Sequence, residues 1–328
     1  MESIIAVDAL AKNFGDLRAV KGITFEVKQG ELFGFLGPNG AGKSTTISML
    51  CTLLRPTSGS AILNGYSITS QKDKVRESIG LVFQDPSLDD RLTAFENLQF
   101  HGIIYGMDRA TVAKRAEEVL KMVELYDRRN DLVRTFSGGM KRRLEIARGL
   151  MHFPKILFLD EPTLGLDPQT RNRIWTYIHR LRVEERITVF LTTHYMDEAE
   201  NCDRIAIIDH GEIIALDTPA ALKDRLGGDV VRIKTSDNES AAAELKSKFG
   251  INAVSEDSHL RFEVPYGETF IPRLMREFSG HITSITVHEP TLDDVFLSLT
   301  GRAIRSESAD ALDRMKDHMR MRRFARGH

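Results

Sequence analysis

ELFGFLGPNGAGKST, residues 31–45, joins an apolar run to a glycine-rich loop that ends in Lys, Ser and Thr. The loop fits the pattern G-x-x-x-x-G-K-[ST], and the run before it is strand-like while the run after it is helix-like. Glycines let successive backbone N–H groups converge on a phosphate, and the helix N-terminus adds its dipole. The lysine would neutralise phosphate charge, and the serine would ligate Mg²⁺. The sequence therefore predicts a nucleotide-binding loop, formed by Gly37, Pro38, Asn39, Gly40, Ala41, Gly42, Lys43, Ser44 and Thr45.

Outward from this loop, the first part of the chain alternates strand and helix signals. Residues 4–14 and 23–37 carry short apolar clusters between glycines and charges, which favours strands. Residues 46–54 are apolar at helical spacing, and Asn64-Gly65 indicates a tight turn between two further strands. The chain is expected to begin with a sheet into which the phosphate loop and its helix are built.

The middle of the chain predicts a helical subdomain inserted into an α/β domain. A helical period dominates from about residue 86 to residue 150. Apolar strand patterns return at residues 155–162, 187–194 and 204–214, with a helix pattern near Gln169 to Val183. This alternation implies parallel strands, so residues 1–226 are predicted to form an α/β domain with a P-loop and a mixed sheet.

The pattern changes near residue 227. The stretch 229–300 has the order β-α-β-β-α-β, which predicts a small α+β domain of the ferredoxin-like kind. Residues 301–328 are predicted to form a polar, basic tail, either a helix or a frayed end. Whether the small domain dimerises the protein, regulates it or only stabilises it stays open.

Composition excludes several classes. The 328 residues are 41% hydrophobic with a formal net charge of −2, so no global field attracts nucleic acid. No apolar run of about 18 residues is present, and the N-terminal residues carry charges where a signal peptide needs an apolar segment. Cys51 and Cys202 stand alone and are expected to be reduced core thiols. A cytoplasmic location is predicted.

A second chemical site is indicated by ILFLDEP, residues 156–162. A buried parallel strand presents its last residues at the carboxyl edge of the sheet, where α/β folds bind ligands. Asp160 would hold Mg²⁺ through water, and Glu161 would act as a general base or orient the attacking water. Because a phosphate loop is also predicted, these roles are favoured over the alternative, in which the two acids are only solvated.

Two further polar residues follow apolar runs. Gln84 could bridge Mg²⁺ and water through its amide, and His194 would emerge at the same sheet edge. Taken alone, a histidine in this position is more often structural than functional.

The stretch FSGGMKRRLEIARG, residues 136–149, places two glycines before a basic helical segment. Alone it could be any serine N-cap with a glycine-rich beginning. A helix N-terminus with glycines can also form a cup for an anion.

Taken together and in order, these motifs resemble those of ATP-binding-cassette (ABC) ATPases over about residues 3 to 225. The resemblance implies that Phe14 stacks on adenine, that Gln84 and His194 belong to the Q-loop and H-loop, and that Asp167 lies in the D-loop. It further implies that Ser137, Gly138 and Gly139 cap the γ-phosphate of an ATP held by a second copy, so that function requires a dimer. Met140 replaces the usual glutamine of this signature and is not assigned a ligand role.

The element EPTLDDVFLSLTGR, residues 289–302, is similar to the C-terminal element of daunorubicin-resistance-type exporter ATPases of the ABC-2 group. This implies an ATP- and Mg²⁺-dependent subunit that works with a separate membrane permease and lies on the cytoplasmic face of the membrane. The exported substrate would be a drug, lipid or polysaccharide, while import remains an alternative. The rival functions are a soluble ABC ATPase on ribosomes or DNA and a cytoplasmic ATPase that sequesters a drug.

Overall fold

A computed structural model describes residues 2–84, 87–256 and 258–301. The chain divides into two compact units, one through Leu216 and one from Asp217, and each is described by itself. The tail predicted for residues 301–328 lies, from residue 302 on, outside the described residues.

The first unit is an α/β structure. Its strands are β1 Ser3–Phe14, β2 Leu17–Lys28, β3 Leu32–Leu36, β4 Ser58–Leu63, β5 Tyr66–Ser67, β6 Ile79–Val82, β7 Ile156–Asp160, β8 Thr188–Thr193, β9 Arg204–Asp209 and β10 Glu212–Asp217. Its helices are α1 Lys43–Leu50, α2 Lys72–Ser78, α3 Ala94–Ile104, α4 Arg109–Met122, α5 Gly138–Gly149, α6 Pro168–Glu185 and α7 Met196–Ala199. The predicted alternation of strands and helices is confirmed, while α2 and α7 were not predicted.

The parallel strands of this unit explain why the polar residues that follow them lie at one edge of the sheet. The sheet has the order β10-β9-β3-β8-β7-β6, and β3 pairs in parallel with β8 and β9, as β7 does with β6 and β8. All residues of β3, β7 and β8 are buried, because helices and a second sheet cover both faces. The carboxyl ends of these strands therefore deliver their following residues to one edge of the sheet.

The second sheet is antiparallel in its paired strands and has the order β2-β1-β4-β5. It shares a hydrophobic core with the parallel sheet, in which the ring of Phe25 lies 5.6 Å from that of Phe33 and 6.0 Å from that of Phe190. The predicted tight turn between β4 and β5 is confirmed, since Asn64 and Gly65 both have positive φ, 47° and 80°.

The insert between the neighbouring strands β6 and β7 contains α3, α4 and α5, as the helical period predicts. Its first helix is fixed by a capping box in which Thr93 and Glu96 satisfy each other's backbone N–H groups. Asp108 caps the next helix by accepting from two backbone N–H groups. The insert therefore leaves the sheet and returns to it at adjacent strands.

The second unit is an α+β structure. Its elements are α8 Pro219–Asp224, β11 Asp229–Thr235, α9 Asn238–Phe249, β12 Val254–Glu256, β13 His259–Val264, α10 Gly267–Glu277, β14 Ile282–His288 and α11 Leu292–Thr300. From β11 to β14 the order is β-α-β-β-α-β, in agreement with the sequence pattern, and the sheet order is β12-β13-β11-β14. Its pairs are antiparallel, and its core includes Val231, Phe262 and Leu274.

The helix α11 comes from the EPTLDDVFLSLTGR element, and one buried acid anchors it. Asp294 is 1% exposed and accepts from the hydroxyl of Thr291 at 2.6 Å and from Nε2 of His288 at 3.0 Å. Arg261 Nε lies 3.6 Å from its carboxylate. Burial alone would raise the pKa of Asp294, but these hydrogen bonds lower it below its ordinary value. Asp294 is therefore a structural anchor of this unit.

Candidate nucleotide-binding and hydrolysis site

The phosphate loop lies between the end of β3 and the start of α1, where the sequence pattern predicted it. A Cβ at Gly37 would lie 2.3 Å from the carbonyl oxygen of Ile208, and one at Gly42 would lie 2.7 Å from that of Ala19. Gly42 also has φ +107°. Only glycine fits these two positions, so the tight loop is a direct consequence of the motif.

Lys43 is 5% exposed and points back across its own loop. Its Nζ donates to the carbonyl oxygens of Gly37 at 2.8 Å and Pro38 at 3.1 Å, and it lies 3.4 Å from Oε1 of Glu161. Burial lowers the pKa of Lys43, while the negative charge of Glu161 opposes that shift. The ammonium is thus held where the loop and the end of β7 meet.

Glu161 follows β7 directly and has φ +45°, a conformation that costs a non-glycine residue free energy. Its Oε1 lies 3.3 Å from Nδ1 of His194, and its backbone N–H donates to Oγ1 of Thr192 at 3.0 Å. Burial would raise the pKa of Glu161, but the His194 hydrogen bond and the Lys43 charge lower it below its ordinary value. The group is therefore an anionic acceptor at neutral pH.

Asp160 is the last residue of β7 and is 7% exposed. Ser44 Oγ donates to its Oδ1 at 3.4 Å, and the hydroxyl of Thr192 donates to the same oxygen. The hydroxyl of Ser44 and the carboxylate of Asp160 thus converge at one end of the phosphate loop. These are hard oxygen donors, the type that Mg²⁺ prefers, so the residues fit such an ion.

Two predicted residues lie at more exposed positions. Gln84 follows β6 and is exposed, and Phe14 ends β1 with 48% of its surface exposed. The Nζ of Lys12 lies 5.1 Å from the ring centroid of Phe14. An exposed aromatic face of this kind is available for stacking on a base.

The signature turn forms the N-terminus of α5. Ser137 is the N-cap, its Oγ accepts from the backbone N–H of Met140 at 3.3 Å, and Ser137 and Gly138 are exposed. A Cβ at Gly139 would lie 2.4 Å from Cγ2 of Thr170.

The D-loop residue Asp167 caps α6. It accepts from the backbone N–H of Thr170 at 2.9 Å and from its hydroxyl at 2.6 Å. These bonds lower the pKa of Asp167. The signature turn and the D-loop of one chain are therefore packed together through Thr170.

Sequence reasoning missed several buried polar residues around the site. Thr192 bridges Asp160 and Glu161, as described above. Glu198 is 2% exposed and accepts from the hydroxyls of Thr193, at 2.7 Å, and Thr163. Two adjacent threonines at the end of an apolar strand were the available signal. Arg142, which is 6% exposed, was missed as well.

Two families and several known proteins are similar to this chain. Residues 20–164 match the ABC transporter family, and residues 218–300 match the C-terminal domain of DrrA1-3-like ATP-binding proteins. The linearmycin resistance ATP-binding protein LnrL of Bacillus subtilis is 43% identical over 311 residues, covering 92% of this chain and 100% of that protein. The daunorubicin/doxorubicin resistance ATP-binding protein DrrA of Streptomyces peucetius is 42% identical, covering 93% and 95%.

Solved structures are similar to about two thirds or more of the chain. The dimeric post-hydrolysis structure of the cassette MJ0796 with ADP and Pi is 31% identical at a TM-score of 0.59, covering 65% of this chain and 98% of that one. The structure of cbiO1 from Clostridium perfringens is 28% identical at a TM-score of 0.64, covering 76% and 97%.

The fold and the site define a P-loop nucleotide-binding ATPase. More particularly, the chain belongs to the ATP-binding proteins of ABC transporters, with a DrrA1-3-like C-terminal domain. It hydrolyses ATP in a reaction coupled to transport. Within the described part of the chain, no helix has the length and apolar character needed to cross a membrane.

Proposed function

We propose that two copies of this chain close on two Mg-ATP, hydrolyse them and reopen, and that this cycle drives export through a separate ABC-2-type permease. The observation that carries the proposal is the convergence of Lys43, Glu161 and His194 at the phosphate loop of a chain with a DrrA1-3-like second domain. The chain would lie on the cytoplasmic face of the membrane, held there by the permease.

Each residue of the site has a role that its chemistry permits. Lys43 and the loop N–H groups hold the phosphates, and Phe14 stacks on adenine. Glu161, kept anionic by its surroundings, orients the attacking water and accepts its proton. His194, within reach of Glu161, contacts the γ-phosphate. Catalysis is then mostly positioning and charge stabilisation.

Ser44, Asp160 and Gln84 would hold Mg²⁺. When bound, the ion neutralises charge that builds up on the phosphate oxygens. The hydroxyl of Thr192 keeps the Asp160 carboxylate turned towards Ser44. Gln84 is exposed beside the helical insert, so it can respond to a neighbour of that insert.

The signature turn supports the proposed dimer. Ser137 and Gly138 are exposed at the positive end of a helix. None of the contacts described above joins them to the phosphate loop of their own chain. An ATP held by a second copy would provide the charge that such a helix end favours. Asp167, next to the same turn through Thr170, would link the two sites.

The permease surface is proposed to be the exposed apolar face of α3. Phe100, Ile103 and Ile104 are 61%, 60% and 62% exposed, and they lie in the insert that follows Gln84. A cluster of large apolar side chains on a surface marks an interaction site more often than a solvated face. A permease segment is proposed to dock on this face.

The cargo is proposed to be drug-like, with lipids and polysaccharides as alternatives. Two relatives are named for resistance to linearmycin and to daunorubicin and doxorubicin, and another, from Ralstonia nicotianae, for Nod factor export. These names support efflux rather than import.

Co-purification tests the proposal. The tagged chain is recovered from gently solubilised cells with and without ATP and vanadate, and its partners are identified by mass spectrometry. A multi-span membrane protein in near-equal amount supports the exporter, whereas ribosomes or DNA-associated proteins without one contradict it.

The docking surface has a matched pair of variants. Ile103→Asp should release the membrane partner, whereas Val183→Asp, at a residue that is 76% exposed on α6, should keep it. Equal retention by both variants would reject α3 as the docking surface.

A further inference from the structure

Arg142 lies on α5, five positions after Ser137, and is only 6% exposed. Its Nε donates to the carbonyl oxygen of Pro162 at 2.7 Å, and its Nη2 donates to those of Asp160 at 3.0 Å and Glu161 at 3.1 Å. One guanidinium therefore binds three successive carbonyl groups that surround the Glu161 backbone.

The third nitrogen of the guanidinium, Nη1, contacts a different part of the chain. Nη1 of Arg142 donates to the carbonyl oxygen of Phe83 and to Oε2 of Glu145, the latter at 3.2 Å. Glu145 is fully buried, and its Oε1 accepts from the backbone N–H of Ser87 at 2.9 Å. Arg142 and Glu145 thus hold the chain on both sides of Gln84.

The Glu161 backbone needs such contacts because its φ of +45° is unfavourable for a residue with a side chain. Thr192 holds the N–H of Glu161, and Arg142 holds its carbonyl oxygen. Without the second contact, the peptide could relax to a negative φ, and that rotation would displace the Glu161 carboxylate from His194.

We propose that Arg142 is a positioning residue for Glu161, and that with Glu145 it fixes the Glu161 backbone relative to the segment around Gln84. The proposal rests on the proposed role of Glu161 in hydrolysis. It also gives a physical link between the Q-loop, the signature helix and the end of β7, because one side chain contacts all three. A lysine cannot replace it, since an ammonium lacks the planar fork that reaches several carbonyl groups at once.

The test compares Arg142→Lys with Arg143→Lys in the full chain. Arg143 is the neighbouring arginine on α5, but it donates to the carbonyl oxygen of Val123 and to the hydroxyl of Tyr177, away from the site. The rate constant kcat and the equilibrium ATP affinity are measured separately. Because a displaced catalytic group slows chemistry, kcat of Arg142→Lys should fall about tenfold or more, with ATP affinity changed less than about threefold. Arg143→Lys should match the wild type.

Glu161→Gln is assayed in parallel. If Glu161→Gln is inactive and Arg142→Lys keeps wild-type kcat, the positioning role is wrong and the role of Glu161 stands. If Glu161→Gln itself keeps wild-type kcat, the role of Glu161 fails, and the present inference fails with it.

A second variant covers the outcome in which Arg142→Lys folds poorly. Glu145→Gln keeps the shape of the partner and removes its charge, and its kcat should fall in the same direction. The double variant should be little worse than Arg142→Lys alone, because both changes break one network. Two outcomes would overturn the proposal. One is a double variant whose loss in kcat is the full product of the two single losses. The other is a parallel loss of kcat, ATP affinity and melting temperature in both single variants, which would show a general structural role.

Discussion

Lys43 and Glu161 form an ion pair, with Nζ 3.4 Å from Oε1, although the two residues lie on different elements and far apart in the sequence. The pair joins the phosphate loop to the end of β7, and His194 completes it at 3.3 Å from the same carboxylate oxygen. An ammonium group and a carboxylate are thereby placed at one point, where we propose that the first binds phosphate and the second accepts a proton from the attacking water.

Glu161→Gln should bind ATP but hydrolyse it very slowly. The amide cannot accept the proton of the attacking water, and a general base contributes about 10²- to 10⁴-fold in rate. Steady-state phosphate release together with equilibrium ATP binding measures both properties, and closed dimers should accumulate by size-exclusion chromatography with ATP. Glu184→Gln, at an exposed carboxylate on α6, serves as the control. Near wild-type turnover of Glu161→Gln would refute the assigned role.

Thr192→Val should lower kcat and raise the Mg²⁺ concentration needed for half-maximal activity. The change keeps the buried shape but removes the hydroxyl that binds Asp160 and the Glu161 N–H. Loss of such an outer contact to a metal-binding carboxylate costs about 10- to 100-fold in affinity or activity. Mg²⁺ titrations of ATPase activity check this. Thr192→Ser should restore most of the loss, and failure of that rescue would show that the methyl group matters instead.

Phe14→Ala should raise KM for ATP with little change in kcat. Stacking of a base on an aromatic ring is worth about 1–3 kcal/mol, which corresponds to about a 5- to 150-fold loss of affinity. Phe14→Tyr should behave like the wild type because it keeps the ring. Phe153→Ala is the matched control, since Phe153 is 52% exposed against 48% for Phe14. Equal KM values for the two alanine variants would exclude stacking on Phe14.

His101 should make the protein less stable in mild acid. Burial, with help from Arg148 and His152, lowers its pKa to about 3 from an ordinary 6.5. The unfolded chain therefore takes up a proton below pH 6.5 that the folded chain refuses, so stability present above that pH is lost as the pH falls towards 3.

The loss at pH 5 should reach up to about 2 kcal/mol. Urea unfolding at pH 7.5 and pH 5.0 measures it, and His101→Phe, which cannot titrate, should show a smaller difference. His281→Gln, at an exposed histidine, should behave like the wild type. An unchanged pH dependence in His101→Phe would refute the prediction.

Features with a local signal could be predicted from the sequence. The phosphate loop needs glycines at fixed spacing, and the Asn64-Gly65 turn has its own signature, so both were found where expected. The position of Asp160 and Glu161 at the end of a parallel strand could also be predicted, because parallel strands deliver their ends to one edge.

Other parts depend on contacts between distant residues and left no local trace. Arg142 binds carbonyl groups on two segments that are both remote from it in sequence, and its own neighbours suggest only a basic helix. Thr192 has an apolar context that indicates a strand but not a hydroxyl role. The short helices α2 and α7 are too brief for a periodic pattern to reveal.

We propose that each ATP is hydrolysed between the phosphate loop of one copy and the signature turn of another. Mixing two inactive variants tests it most directly. Lys43→Ala removes the phosphate-binding amine. Gly138→Asp places a negative charge at the signature turn. A Cβ has room at this position, because its nearest neighbour, Cδ2 of Leu166, would lie 3.8 Å away. The helix dipole also favours an acid there.

Each variant alone should be inactive. In an equal mixture, half of the dimers are mixed and contain one site with both normal halves, so about a quarter of the wild-type ATPase rate should return. Both variants must remain folded, and the Gly138→Asp chain must still bind ATP. If the mixture is then as inactive as each variant alone, the shared site is contradicted.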